Sequence, residues 1–269
     1  MAYFLTNNLL DDATITFAVG GEDSEFTFAK CFDGNPSTGF KPSTNSTTIL
    51  LHFSGNQSIS AVGLFNSRDS AITLTLSTAT TADLTDVASG DWTEMTFDKS
   101  GQNNLTSPST TVSVASGRSS FVGIDDTVSN VRSIKIEFSG LSPTDDVLNH
   151  LFLSSHVEID ISHPYMPPMF QLFETTMKRN NNGNPLVSDK FKAPSKLTFN
   201  IKQKTQTEMK TIVNSLGDLY KPFMVSTSYD LTSETKGNAY YCILDKNLAQ
   251  PKYTNPTVMS WQIKVLGYV

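Results

Sequence analysis

The chain is poor in the residues on which most reaction centres depend. Two cysteines among 269 residues, Cys31 and Cys242, cannot furnish a cysteine-rich zinc site. The four histidines, His52, His150, His156 and His163, show no HExxH spacing. GxSxG, the Walker phosphate loop and GxGxxG are all missing, which removes three common signatures of hydrolase, nucleotidase and dinucleotide chemistry. No apolar run approaches the ~18 residues of a membrane span, so no membrane insertion is expected. Residues 1–8 have neither a basic n-region nor a long apolar stretch, and no secretory signal is expected. Charge is also scarce, at 17% of residues, which argues against a highly charged disordered chain.

What is abundant is hydroxyl. Serine and threonine number 64, so the polar surface is built from hydroxyl groups more than from ions. The net charge of −6 conceals a division. Residues 1–160 hold 7 basic and 19 acidic side chains, a net of −12, whereas residues 161–269 hold 13 basic and 7 acidic, a net of +6. The basic half contains a single arginine, Arg179. Base and phosphate reading favours the guanidinium fork, so no nucleic-acid partner is expected. The division reads as two domains with different surfaces. Cys31 and Cys242 fall one in each half, either as buried free thiols or as an interdomain disulfide formed in an oxidising compartment.

The acidic half is patterned for short strands. Ile49 to Phe53 form an apolar run, a Ser54-Gly55-Asn56 turn follows, and residues 59–65 resume the apolar character. Ile72, Leu74 and Leu76 alternate with threonines, and Ile134, Ile136 and Phe138 alternate with Lys135 and Glu137, the period of a half-buried strand. Further strands are predicted at 92–97, 110–115, 119–124 and 151–161. Many short strands and no helix predict an antiparallel sandwich.

Residues 162–170 hold three of the twelve prolines, which a central ladder excludes. The charge balance turns over at the same place, so the domains are read as 1–162 and 163–269. In the second, strands are predicted at 169–177, 185–190, 195–203, 222–228, 239–245 and 257–266. One helix is predicted near 206–217: Thr205 or Thr207 can cap it, Met209, Ile212, Val213 and Leu216 share a face, and Gly217 ends it. The fold class is mainly β, an N-terminal antiparallel β-sandwich of jelly-roll type followed by a mostly-β domain with one α-helix.

Nothing in the sequence argues for catalysis. The acid pairs Asp11-Asp12, Asp125-Asp126 and Asp145-Asp146 are adjacent residues, which on a strand point to opposite faces. His150 and His156 could share a site but read better as structural or exposed residues. The informative segment is 28–40, where Phe32-Asp33-Gly34-Asn35 leads through Pro36 and Thr38 to Phe40. It reads either as a self-capped Asx turn or as a calcium loop using Asp33, backbone carbonyls and Thr38.

Phe32-Asp33-Gly34-Asn35, followed by Thr38-Gly39-Phe40, resembles the loop motif of the discoidin family, the coagulation-factor C-type sandwich related to galactose-binding modules. Phe40 stands where that family usually has tryptophan. Ile49–Phe53, Ile59–Leu64, Ile134–Phe138 and Val157–Ile159 are similar to the strands that follow. The resemblance implies a discoidin-like sandwich over roughly 1–160, with a structural calcium at Asp33, Asn35, Thr38 and Glu158; no other cofactor is required. Tyr3, Phe4, Trp92 and Phe121 are the aromatic residues on which a sugar could stack, with core burial the competing reading of each.

The string Leu219 to Val225 after a short helix, and then Tyr240 to Asp245, is similar to minor or distal tail proteins of tailed phages. That resemblance implies a non-enzymatic structural protein of the virion, at the tail tip or baseplate. It would be synthesised in the host cytoplasm and assembled with other tail proteins as a homo-oligomeric ring, with a host-surface glycan as a further partner. The alternative is a carbohydrate-binding adhesion or receptor-binding module.

Overall fold

The structure, a computed structural model, describes residues 2–35, 38–66, 72–100, 108–114, 118–139, 147–160, 177–179, 185–187, 195–217, 219–227, 239–245 and 250–268. Among these residues the first half contributes ten strands: β1 (Ala2–Leu5), β2 (Thr14–Val19), β3 (Thr47–Asn66), β4 (Ile72–Ala79), β5 (Thr93–Glu94), β6 (Lys99–Ser100), β7 (Thr111–Val114), β8 (Arg118–Ser139), β9 (His150–Ser154) and β10 (Val157–Ile159). The second contributes β11 (Met177–Arg179), β12 (Pro185–Val187), β13 (Ser195–Lys204), α1 (Gln206–Leu216), β14 (Phe223–Ser226), β15 (Ala239–Leu244), β16 (Lys252–Asn255) and β17 (Val258–Tyr268). All pairings are antiparallel, so the chain is mainly β as expected.

Two long strands organise the sandwich. β3 and β8 pair from Thr47↔Phe138 to Asn66↔Arg118, with register shifts between His52 and Ala61. Before the irregularity this pair is flanked by β2 and β4; beyond it, by β9 and β6. One kinked ladder therefore supplies both layers. Ile49, Leu51, Ile134, Ile136 and Leu74 from the first layer meet Val62, Leu64, Leu151 and Leu153 from the second in one core. The predicted reversal at Ser54-Gly55-Asn56 does not occur. Both flanking runs pair with β8, whose own irregular stretch lets the ladder bend instead of turning back.

The segment 151–161 also divides. β9 joins the sandwich beside β3, while β10 leaves it to pair with β1. The N-terminal strand β1, unanticipated in the sequence, lies between β10 and β14 in a second sheet ordered β10-β1-β14-β15-β17-β13, with β16 against β17. Strand membership thus crosses the division at residue 162: Ala2–Leu5 and Val157–Ile159 belong with the C-terminal strands. The sandwich is an excursion between two adjacent strands of the other sheet. The prediction over 169–177 falls almost wholly outside the described residues.

The helix forms where the pattern places it. Thr205 accepts the Glu208 N–H at 3.3 Å, and the Glu208 carboxylate accepts the Thr205 N–H at 2.8 Å, a reciprocal capping box. Those contacts hold the Glu208 carboxyl below its ordinary pKa. Met209 and Leu216 are buried against Phe4, Phe199, Phe223, Tyr240 and Ile263. Lys204, at the end of β13, reaches Asp160, just past β10, at 3.8 Å. These strands stand at opposite ends of the sheet order, so the sheet curls around the helix.

The convex face of this sheet docks on the sandwich. Leu5, Met224, Ala239 and Tyr241 pack against Ala61, Phe65, Phe121 and Phe152. The second sandwich layer is therefore buried on both faces, which is why residues 61–65 and 151–153 are continuously apolar. Cys31 lies in the sandwich core and Cys242 in the helix-side core, both as free thiols. Burial pushes both thiols above their ordinary range.

Gly63 marks a close approach between the two bodies: a Cβ there would stand 2.8 Å from Met224 Cγ and 3.3 Å from Leu5 Cδ1. Gly63→Val is expected to destabilise the protein by about 1–3 kcal/mol, read from urea unfolding. Adding Met224→Ala should recover part of that loss; a neutral Gly63→Val would disprove the close docking.

Candidate functional site at the junction

The loop that carries the discoidin-like motif sits at the seam between sandwich and curved sheet. A 3₁₀ turn over Phe28–Cys31 delivers it, and Phe40, fully buried and edge-on to Phe28 at 5.3 Å, anchors its return. Within it, Asp33 Oδ1 accepts the Asn35 N–H at 2.8 Å. The Thr38 hydroxyl lies 2.9 and 2.7 Å from the two Asp33 oxygens and 2.8 Å from the Asn35 carbonyl. One hydroxyl proton is shared among these acceptors. Asn149 ties the loop down by donating to the Thr38 carbonyl at 3.0 Å.

Gly34 faces the other body. Its φ of +79° is left-handed, which favours glycine, and a Cβ there would meet Pro222 Cγ at 3.2 Å. The Tyr241 hydroxyl donates to its carbonyl at 3.2 Å. The Tyr241 ring is stacked on His150 at 4.5 Å and on Phe65 at 5.1 Å. His150 Nδ1 lies 3.1 Å from the Cys31 carbonyl, a pairing that requires the proton on Nδ1. Burial lowers the His150 pKa to about 4, against the opposing pull of the Asn35 and Cys31 carbonyls and the Asp33 charge.

A cleft of roughly 150 Å³ opens at this seam. Its charged groups are Asp11, Asp33 and Lys221, with Thr6, Phe32 and Phe152 on the walls. Lys221 Nζ pairs with Asp11 Oδ2 at 2.8 Å, and Lys221 is 62% exposed. Such a pair contributes little to stability, ~0–1 kcal/mol, and is able to exchange partners with an arriving polar group.

Three of the four predicted calcium residues are brought together, Asp33, Asn35 and Thr38, by the contacts given above. The fourth, Glu158, is exposed on β10 opposite Tyr3 in the curved sheet. Both Asp33 oxygens lie within hydrogen-bond distance of donors inside the loop and keep further lone pairs for another partner. Among the described residues no cluster of three or more His, Cys, Asp or Glu is arranged to hold a metal. His150 and His156 do not share a site; His156 Nδ1 is 2.7 Å from Ser60 Oγ. His163 and the pair Asp145-Asp146 lie outside the described residues.

Of the predicted stacking aromatics, Phe4 and Phe121 are fully buried. Tyr3 is half-buried, edge-on to His156 at 5.5 Å. Trp92 is half-buried too, its indole N–H donating to the Asp86 carbonyl at 2.9 Å and Lys135 Nζ 5.8 Å above its ring. The junction residues His150, Tyr241, Asp11 and Lys221 carried no shared signal in sequence. They are far apart along the chain, and only docking unites them.

No family model matches the chain, and no curated protein matches it. Solved structures with partial similarity include a Ruminococcus gnavus GH29 fucosidase in complex with fucose, at 12% identity and TM-score 0.39, over 56% of this chain and 27% of the fucosidase chain. CBM32-1, from a family 31 glycoside hydrolase of Clostridium perfringens, aligns at 12% identity and TM-score 0.38, over 55% of this chain and 98% of the module. The chitosan-binding module 1 of a Paenibacillus sp. IK-5 chitosanase/glucanase aligns at 15% identity and TM-score 0.37, over 55% and 98%. The match thus spans about a quarter of the fucosidase chain, and nearly all of each binding module.

Two predictions follow from the loop and its histidine. An unfolded histidine titrates near 6.5 and His150 near 4, so the unfolded chain binds the extra proton between these values. Stability is complete above about pH 6.5 and falls as pH drops toward 4, by about 3 kcal/mol for this group. Urea midpoints at pH 7 and 4.5 should show the fall, and His150→Gln should remove its share; an identical slope in the variant would refute it. For the loop, calorimetry of chelator-treated protein with millimolar calcium should give no heat and no change in Tm. Calcium uptake would instead assign the Asp33 oxygens to a cation.

Proposed function

We propose that the chain is a non-enzymatic carbohydrate-binding protein of the adhesion or receptor-binding kind, taking a sugar ring in the junction cleft. The observation that carries this reading is the cleft's donor set. Asp11, Asp33 and Lys221 offer carboxylate acceptors and an ammonium donor to vicinal hydroxyls, beside the apolar walls of Phe32 and Phe152. A small number of fixed polar groups on a partly apolar wall is how small-molecule sites set orientation. The walls are pre-formed, because Asn8 is locked by a bond to the Leu151 carbonyl at 2.8 Å and one from the Leu153 N–H at 3.2 Å. No cofactor enters the reading.

A glycan array followed by calorimetry tests it. Binding should weaken about tenfold or more (about 1.4 kcal/mol) in Lys221→Met and in Asp11→Asn, with Tm unchanged to within a degree or two. An array blank for every sugar, or variants that bind as the wild type does, would reject the cleft.

A second reading, a structural protein of a phage tail tip or baseplate that assembles as a ring, draws support from the −12/+6 division of charge. Complementary fields of that kind guide assembly. It would place the chain in the virion among other tail proteins. Native mass measurement tests it: a strict monomer across micromolar concentrations would reject the ring.

A further inference from the structure

The curved sheet has a second stretch of convex face, beyond the part that docks on the sandwich. Residues opposite one another in a ladder share a face. Leu5, Met224 and Tyr241 define the convex side, and the register continues it through Ile243↔Leu266 to Thr198↔Lys264 and Asn200↔Gln262. Lys252 stands opposite Ser260 on the same side, and Lys202 follows by alternation from buried Ile201. The outcome is three polar rows about 7 Å apart: Thr198 with Lys264, Asn200 with Gln262, then Lys202, Ser260 and Lys252. Gln262 Nε2 donates to Asn200 Oδ1 at 3.0 Å, which fixes the middle row.

Lys202, Lys252 and Lys264 are exposed, and among the described residues none of them is in an ion pair. The strands that carry them, β13, β16 and β17, contain no Asp or Glu. Asp245, the residue after β15, stands opposite Lys264 and donates its N–H to the Lys264 carbonyl at 3.1 Å, so one carboxylate borders the three cations. The excess of positive charge on this face, in a chain whose other half is strongly acidic, still forms a local positive field that selects an anion. The amides and hydroxyls between the cations offer donors and acceptors to sugar hydroxyls.

We propose that this face binds an acidic polysaccharide, a polyhydroxylated chain bearing carboxylate or sulfate groups. A second copy of the protein fits less well. Stable protein interfaces are built on buried aromatic and apolar anchors, and the open rows contain none; Tyr253, opposite Met259, lies on the other face. Nucleic acid fits less well also, since the rows have no Arg to read bases or phosphates and no aromatic ring on which bases stack. The proposal extends the carbohydrate-binding reading to a second face and ligand class, and its residues are distinct from those of the cleft.

Affinity electrophoresis of the full chain through gels containing polygalacturonate, dextran sulfate or fully methyl-esterified pectin tests it. The expected result is retardation by at least one of the two acidic polymers. It should be lost at high salt because exposed charge contacts are screened, and absent with the esterified chain. K202Q/K252Q/K264Q should weaken it about tenfold or more with Tm unchanged, whereas Lys221→Met should leave it intact. A sugar array that fails while polygalacturonate retardation persists rejects the cleft alone. Absence of retardation by both acidic polymers, equal retardation by esterified pectin, or a triple variant that binds as wild type overturns the face. So does tighter binding to duplex DNA than to either acidic polymer, or self-association that consumes these lysines in sedimentation velocity.

Discussion

The sandwich layer formed by the far halves of β3 and β8 with β9 is buried from both sides, and the rest of the molecule depends on it. Inward, Val62, Leu64 and Leu153 close the sandwich core; outward, Ala61, Phe65 and Phe152 receive Leu5, Met224 and Tyr241. Apolar burial is worth roughly 25 cal/mol per Å², so a layer covered on both faces stabilises two bodies at once. Gly63 lets the sheets approach until Met224 fills the space where a side chain would stand. That contact fixes the seam, and the seam creates the cleft.

The seam also changes what the Asp33-Gly34-Asn35 loop touches. Its carboxylate caps its own turn, and its glycine carbonyl accepts the Tyr241 hydroxyl while the same residue lies against Pro222. A loop that would be a free rim in an isolated sandwich is half covered. The part left open shares its polar groups with Asp11 and Lys221. His150 stacks beneath it as a neutral ring, its proton directed at Cys31. The open part of the junction therefore presents hydrogen-bonding groups from both bodies.

Much of the architecture was legible along the chain. The helix was readable to within a residue because its cap, its apolar face and its terminating glycine are all local. Strand positions such as 72–76 and 132–138 were visible because one face is buried and the period is two. Less legible was how strands join. Ile49–Phe53 and Ile59–Phe65 look like two strands across a turn, and only their common partner β8 shows that they are one. Likewise β1 and β10, four and three residues long, are too short to declare a sheet.

The sequence by itself determined the mainly-β class, the helix with its cap, the free buried thiols as one of two readings, and the partition of charge. These follow from neighbours within a few residues, where backbone preference and side-chain period act. Tertiary structure decided that the sandwich is an excursion between β1 and β10, that the motif loop lies at a junction, and that Asp11, Asp33 and Lys221 meet. Those are pairings across distances of up to 210 residues. They are set by which surfaces bury most apolar area, and no local period records that.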